Sequence, residues 1–397
     1  MNTGRLVFAQ LLDFLPRREF NRCVRHYHGN FHCRSLSCYD QFLCLAFAQL
    51  TGCKSLRQIE TCLTAMEPKL YHAGLRSPPA RSTLADANER RDWRIYADFA
   101  QGLIARARKL YAGESFGVDL DQTAYVLDAT IIDLCLSLFP WAKFHHGKGA
   151  IKLHTQLDLR GNIPCILRVT HARIVDAAML DWLLPEPGAF YILDRGYVDF
   201  GRLRRLVAGS AHFVIRAKRN LRFIRLDYRA VDKSTGLRSD QTIRLADPNT
   251  SLRYPESLRR IHYFDSETGN RIVVLTDSFT LPSLTVARLY QCRWQVELFF
   301  KWIKQHLKIE AFYGTSLNAV QTQIWIAISV YLLMAIAKKE LRIERSLSEI
   351  QQILDMAIFH KDPLLQVLSH RAIPNSEDTA RKQLSFLAIY PDSTDYD

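Results

Sequence analysis

YQCRWQVELFFKWIKQHLKI, residues 290–309, sets a few polar side chains into a run otherwise rich in Trp, Phe, Val, Leu and Ile. At about 100° per residue, with Tyr290 as zero, Arg293 falls near 300°, Lys304 near 320° and Glu297 near 340°. The four therefore share a stripe about 60° wide. Trp294, Val296, Leu298, Phe299, Phe300, Trp302, Ile303 and Leu307 take the other directions, which predicts a helix enclosed by protein on most sides. An Arg and a Glu four apart often make only a helical salt bridge. A buried carboxylate held between two cations, in contrast, suggests a site.

Two further carboxylates stand at the ends of apolar runs: Asp128 closes YVLD and Asp194 closes FYILD. Ligands of α/β folds bind outside the ends of sheet strands, which makes both positions candidates, with Asp121, Asp133, Asp158, Asp176 and Asp199 as nearby alternatives that could be mere turn formers. Three anions drawn together repel each other unless a divalent cation neutralises them, and an all-carboxylate set suits Mg²⁺ or Mn²⁺ better than zinc. Two such ions could activate a water or 3′-hydroxyl on one side of a phosphodiester and stabilise the leaving oxygen on the other. Tyr290, Arg293 and Lys304 would then grip the flanking DNA.

Around this centre the pattern alternates between strand and helix. AYVLDATII, IKLHTQLDL, IPCILRVTH, AFYILDRGY and AHFVIRAK read as strands, with AAMLDWLL and FGRLRRLVAG as helices between them. This predicts an α/β (α+β multi-domain) chain with a mixed sheet as its core, over residues 116–219 and 282–345. Residues 220–281, with RRIHYFD and RIVVLTD joined at SETGN, read as a β-rich insertion. Residues 346–397 are expected to form a C-terminal helical segment with a polar tail.

Residues 1–115 lack alternating patterns and read as an all-helical basic domain. SLRQIETCL, a loop with Gly74, Pro78 and Pro79, and a helix capped by Ser82 follow the order of a helix-turn-helix with a long connection. That helix would offer Arg81, Asn88, Arg90, Arg91 and Arg94 to a major groove, where Asn and Arg make bidentate base contacts. The alternative is a solvated bundle helix.

The net charge of +13 and pI near 9.4 over 397 residues favour a polyanionic partner, nucleic acid or an acidic membrane surface. Nine cysteines, an odd number, follow no disulfide framework and are expected to be reduced thiols in the cytoplasm. Cys23, His26, His28, His32, Cys33 and Cys38 lack the paired spacing of a zinc site. IWIAISVYLLMAIA, from Ile324, is shorter than the roughly 20 residues a bilayer needs and reads as a core helix. No secretory signal is expected at the N-terminus.

The spacing YxxRxxxExxxxxxK, met by Tyr290, Arg293, Glu297 and Lys304, resembles the signature of bacterial insertion-sequence transposases of the IS-four type, in the DDE group. LDAT at Asp128 and LDRGY at Asp194 are similar to its two Asp segments, and the resemblance extends over about residues 1–340. It implies a ribonuclease-H-like core with a β insertion, two Mg²⁺ ions, and a homodimer that cuts double-stranded DNA at terminal inverted repeats and joins 3′-hydroxyls to target DNA. Hairpin-forming relatives use a Trp in the insertion to hold a flipped base, whereas here no Trp lies between Asp194 and Trp294. Tyr263 or Phe264 could stack in its place, against a role in the hairpin core. The competing expectations are a structure-selective nuclease on the same fold and a non-catalytic DNA-binding derivative. Nucleoid-associated bacterial cytoplasm is the expected location.

Overall fold

The computed structural model describes residues 4–145, 148–266, 269–306 and 311–369. Its strands are β1 (Ala124–Leu134), β2 (Lys143–His145), β3 (Lys148–Asp158), β4 (Ile163–His171), β5 (Phe190–Leu193), β6 (His212–Arg216), β7 (Phe223–Arg229), β8 (Leu237–Leu245), β9 (Leu258–Phe264) and β10 (Arg271–Thr276). β3 runs antiparallel to both β1 and β4, while β5 is parallel to β1 and β6 is parallel to β5. The order β4-β3-β1-β5-β6 is the expected ribonuclease-H-like arrangement. Its short central strand, FYIL, is buried throughout, as a strand covered on both faces must be.

Residues 220–281 do not form a sheet of their own. β10 pairs antiparallel with β6, and β9, β8 and β7 follow, so the same sheet continues to a rim at β7. Alternation identified these strands but is silent about which edge they extend. AAMLDWLL is a 3₁₀ segment, Asp176–Asp181, where an α-helix was expected. Pro185 follows closely and leaves little length for full turns. The turn expected at SETGN includes residues 267 and 268, and the polar tail begins after 369; both lie outside the described residues, as does Leu307.

The Leu317–Glu340 helix forms the centre of the helical part. It is buried from Ala319 to Ala337 and begins earlier in the sequence than its apolar run, because Ser316 caps it by accepting from the Ala319 N–H at 3.1 Å. Among the described residues it is the helix long and apolar enough to cross a membrane, and it is covered along its full apolar length. The Arg94–Tyr111 and Cys38–Leu50 helices pack on it. Tyr111 donates to the Ala335 carbonyl at 2.9 Å, and Tyr313 to the Cys53 carbonyl at 2.7 Å. One apolar core consequently runs from Leu6 through the sheet to Leu368.

Candidate active site

The register of β1 and β5 sets Leu127 beside Leu193, so the next residues, Asp128 and Asp194, leave neighbouring strands side by side. Asp194 stays extended before the chain tightens into a 3₁₀ turn at Arg195–Tyr197. The signature helix approaches in two pieces, Ser283–Gln291 and Trp294–His306. At the joint, Arg293 N–H bonds the Tyr290 carbonyl at 3.1 Å, and Gln295 N–H bonds the Cys292 carbonyl at 3.0 Å. These three-residue bonds turn the chain faster than an α-helix, so a constant 100° per residue does not apply across residues 290–295.

The side chains nevertheless converge. Tyr290 donates to Asp194 Oδ1 at 3.1 Å. Arg293 forks between Asp128 Oδ2 at 3.3 Å and Glu297 Oε1 at 2.5 Å. One guanidinium can bridge acceptors no more than about 8 Å apart, which bounds the Asp128 to Glu297 separation. Lys304 Nζ donates to the Ile131 carbonyl at 2.8 Å, three residues beyond Asp128 on β1. The helix is less enclosed than its composition predicts. Val296, Phe299, Phe300 and Ile303 are buried, but Trp294 is 56% exposed and Leu298 42%. Glu297 is likewise partly open to solvent, its side chain 32% exposed.

Burial pushes the Asp128 carboxyl up to about 6, with Glu297 and Asp194 adding to the rise against the pull of the Ala129 N–H and Arg293. Burial and the charge of Asp194 push the Tyr290 hydroxyl to about 12, so it stays a donor at neutral pH. These carboxylates repel each other and lack a full complement of positive charge. Their oxygens suit a hard divalent cation, which Asp128, Asp194 and Glu297 could hold. Among the described residues no three His, Cys, Asp or Glu side chains already close on one point, and Arg293 stands between two of the carboxylates.

The alternative aspartates have other occupations. Asp158 bonds Arg108 at 3.2 Å, Asp176 bonds Lys152 at 2.9 Å, and Asp199 caps the Phe200–Ala208 helix. Asp121 and Asp133 are exposed. Tyr197, quoted in LDRGY but not singled out, lies buried near Asp128, Asp176 and Asp194. Burial and then those carboxylates push its hydroxyl well above its ordinary value, and that hydroxyl has no hydrogen-bond partner among the described residues. No spacing rule marks it. Tyr263 packs against the core, and Phe264 lies beneath Arg238, whose guanidinium is 5.3 Å from the ring centre.

The groove-reading expectation for the N-terminal region needs correction. The Arg81–Arg90 helix opens after Ala80, so Ser82 lies inside it and not at the cap, and the helix ends before the extended Arg91. Arg94 begins the next helix, so Asn88, Arg90, Arg91 and Arg94 do not share one surface. Asn88 is buried and accepts from Gln41 Nε2 at 2.7 Å, because it shares the inward face with Leu84 and Ala87. Arg91 donates to the Ser37 carbonyl and Gln41 Oε1, both at 2.9 Å, and so ties the end of the Arg81–Arg90 helix to the start of the Cys38–Leu50 helix. Arg94 is engaged by Asp92 at 2.5 Å, although it remains exposed. Arg81 and Arg90 are exposed at opposite ends of the short helix.

Residues 119–333 match the family described as the transposase DDE domain, and residues 3–76 match a domain family of unknown function, DUF4372. The y4zB protein of Sinorhizobium fredii, assigned as a transposase, is 32% identical over 287 residues, 71% of this chain and 78% of that one. A protein assigned as the transposase of insertion sequence element IS5377 of Geobacillus stearothermophilus is 30% identical over 53% of this chain and 55% of its own. One assigned to insertion sequence element IS4SA of Synechocystis is 23% identical over 80% and 87%.

Proposed function

The chain belongs to the DDE transposases, and on that premise we propose that Asp128, Asp194 and Glu297 are its catalytic triad, holding two Mg²⁺ ions for which Mn²⁺ can substitute. The reaction is cleavage of double-stranded DNA at terminal inverted repeats followed by transfer of 3′-hydroxyls into target DNA, carried out by a homodimer at the nucleoid in the cytoplasm. The observation that carries this reading is the Arg293 fork, which joins Glu297 on its own helix to Asp128, 165 residues before Arg293 in the sequence.

When bound, the ions supply Lewis acidity for the attacking and leaving oxygens. The chain's own residues do the positioning. The Tyr290 hydroxyl fixes the rotamer of Asp194, and the Ala129 N–H orients Asp128. Arg293 bridges Asp128 and Glu297 in the resting protein and offsets part of their charge, and in the working complex its planar fork suits phosphate. Lys304, beside Ile131, adds a point charge further along the strand.

The test compares wild type with Glu297→Gln on a DNA fragment carrying the element's ends, with Mg²⁺ and with chelator. Cutting and end-joining are expected from wild type with metal alone, while the variant binds at least as tightly and does neither. Cutting by the variant would remove Glu297 from the mechanism. Cleavage without joining by wild type would identify a nuclease.

A further inference from the structure

Beyond Asp194, on the sheet face turned away from the Ser283–Gln291 helix, arginines gather without carboxylates among the described residues. Arg259 on β9 reaches Ser283 on that helix, so by strand alternation its neighbour Arg260 points to the opposite face. The register of β9 and β10 sets Leu275 opposite Arg260 and Arg271 opposite Phe264, which brings Arg271 to the same face as Arg260. With Arg195, Lys218 and Arg219 they line a cavity of about 320 Å³ in which none of the described lining residues is acidic.

Among the described residues the two fully buried cations each have a carboxylate, Arg259 with Asp240 at 2.6 Å and Lys152 with Asp176 at 2.9 Å. Arg260 differs. It donates to Gln241 Oε1 at 3.0 Å and lies over the Phe223 ring at 4.9 Å, both neutral partners. Burial holds its guanidinium below the ordinary value, and burial with Arg260, Arg271 and Arg238 nearby holds His262 below its own. A half-buried cation among cations is unfavourable until an anion joins it.

We propose that this cavity is a second phosphate site, which takes one phosphodiester of the bound DNA away from the bond being cut. The proposal rests on the transposase reading above. Arg195, which lines the cavity, directly follows Asp194 in the chain, so the cavity adjoins the proposed catalytic carboxylates. Ligand cavities run from roughly 300 Å³ upward, and one this small suits a phosphate with its sugar and excludes a base pair. Forked guanidinium groups match the two unesterified oxygens.

The experiment measures binding of a short duplex of arbitrary sequence at several salt concentrations, in chelator, for wild type, Arg260→Gln, Arg271→Gln and the double variant. Each single change is expected to lower the slope of log affinity against log salt by about one and to weaken binding roughly tenfold. Inorganic pyrophosphate should raise the Tm of wild type but not that of the double variant. Arg271 is exposed, so its replacement leaves the fold intact even should Arg260→Gln loosen β9. Wild-type slopes in both single variants overturn the proposal, and a pyrophosphate response with unchanged DNA slopes assigns the cavity to a small polyphosphate instead. Because metal is absent, this binding readout does not depend on cutting, and a wild type that fails to cut with Mg²⁺ in the test above would count against the catalytic reading alone. Unaltered binding by the variants would count against the cavity alone.

Discussion

At the scale of single residues, the site is a set of charges whose spacing is readable and whose surroundings are not. Tyr290, Arg293, Glu297 and Lys304 stand out because polar groups are rare in an apolar run, and Asp128 and Asp194 because each closes a strand. Tyr197 and Asn88 show the limit. Asn88 looked like a groove reader by residue type, yet it follows Leu84 by four positions, and that spacing assigns it to the inward face. His154 is a case no pattern reveals. It sits on β3 opposite Ala129, with Nε2 3.0 Å from Thr170 Oγ1 and the Trp182 ring edge-on. Burial first, and then the charge of Lys152, hold its pKa down to about 4. In the unfolded chain it would take a proton near pH 6.5, so native stability is present above that value and is lost as pH falls from about 6.5 toward 4, by about 3 kcal/mol. Urea unfolding at neutral and mildly acid pH should show this loss in wild type and a smaller one in His154→Gln. Equal losses would exclude the histidine as the cause.

At the scale of elements, strands were legible from apolar runs between turn residues, while their neighbours in the sheet were not, because pairing is decided by contacts far apart in sequence. What fastens the far strands to the site is one buried ion pair. Arg259 bonds both Asp240 oxygens, and Asp240 also accepts from Ser283 Oγ at 2.7 Å. Burial alone would raise the Asp240 carboxyl, but Arg259 and Ser283 hold it below the usual range. β8 and β9 are thereby bolted to the start of the helix whose other end aims Tyr290 at Asp194. Arg259→Ala strands a carboxylate in the interior and is expected to cost about 3–5 kcal/mol in urea unfolding, whereas Arg259→Met with Asp240→Leu should restore most of it. A single variant within 1 kcal/mol of wild type, by the same measurement, would mean that water already reaches the pair.

For the molecule as a whole, the basic helical region and the catalytic sheet were expected as separate units, and composition gives no reason to think otherwise. In the fold they share a core, because the Leu317–Glu340 helix is covered by segments from both ends of the chain. Asn318 donates to the Asn88 and Arg91 carbonyls at 2.8 and 2.7 Å, and Gln351 to the Leu50 carbonyl at 2.7 Å. Removing residues 1–115 is therefore expected to yield insoluble protein, read by sedimentation after expression; a soluble product with a cooperative melt would show that the sheet folds without them. The same burial bears on biosynthesis. Translation runs from the N-terminus, so the Cys38–Leu50 and Arg94–Tyr111 helices have left the ribosome long before residue 317 appears. A nascent segment greasy enough to be taken for a membrane anchor thus emerges to find its wrapping already made.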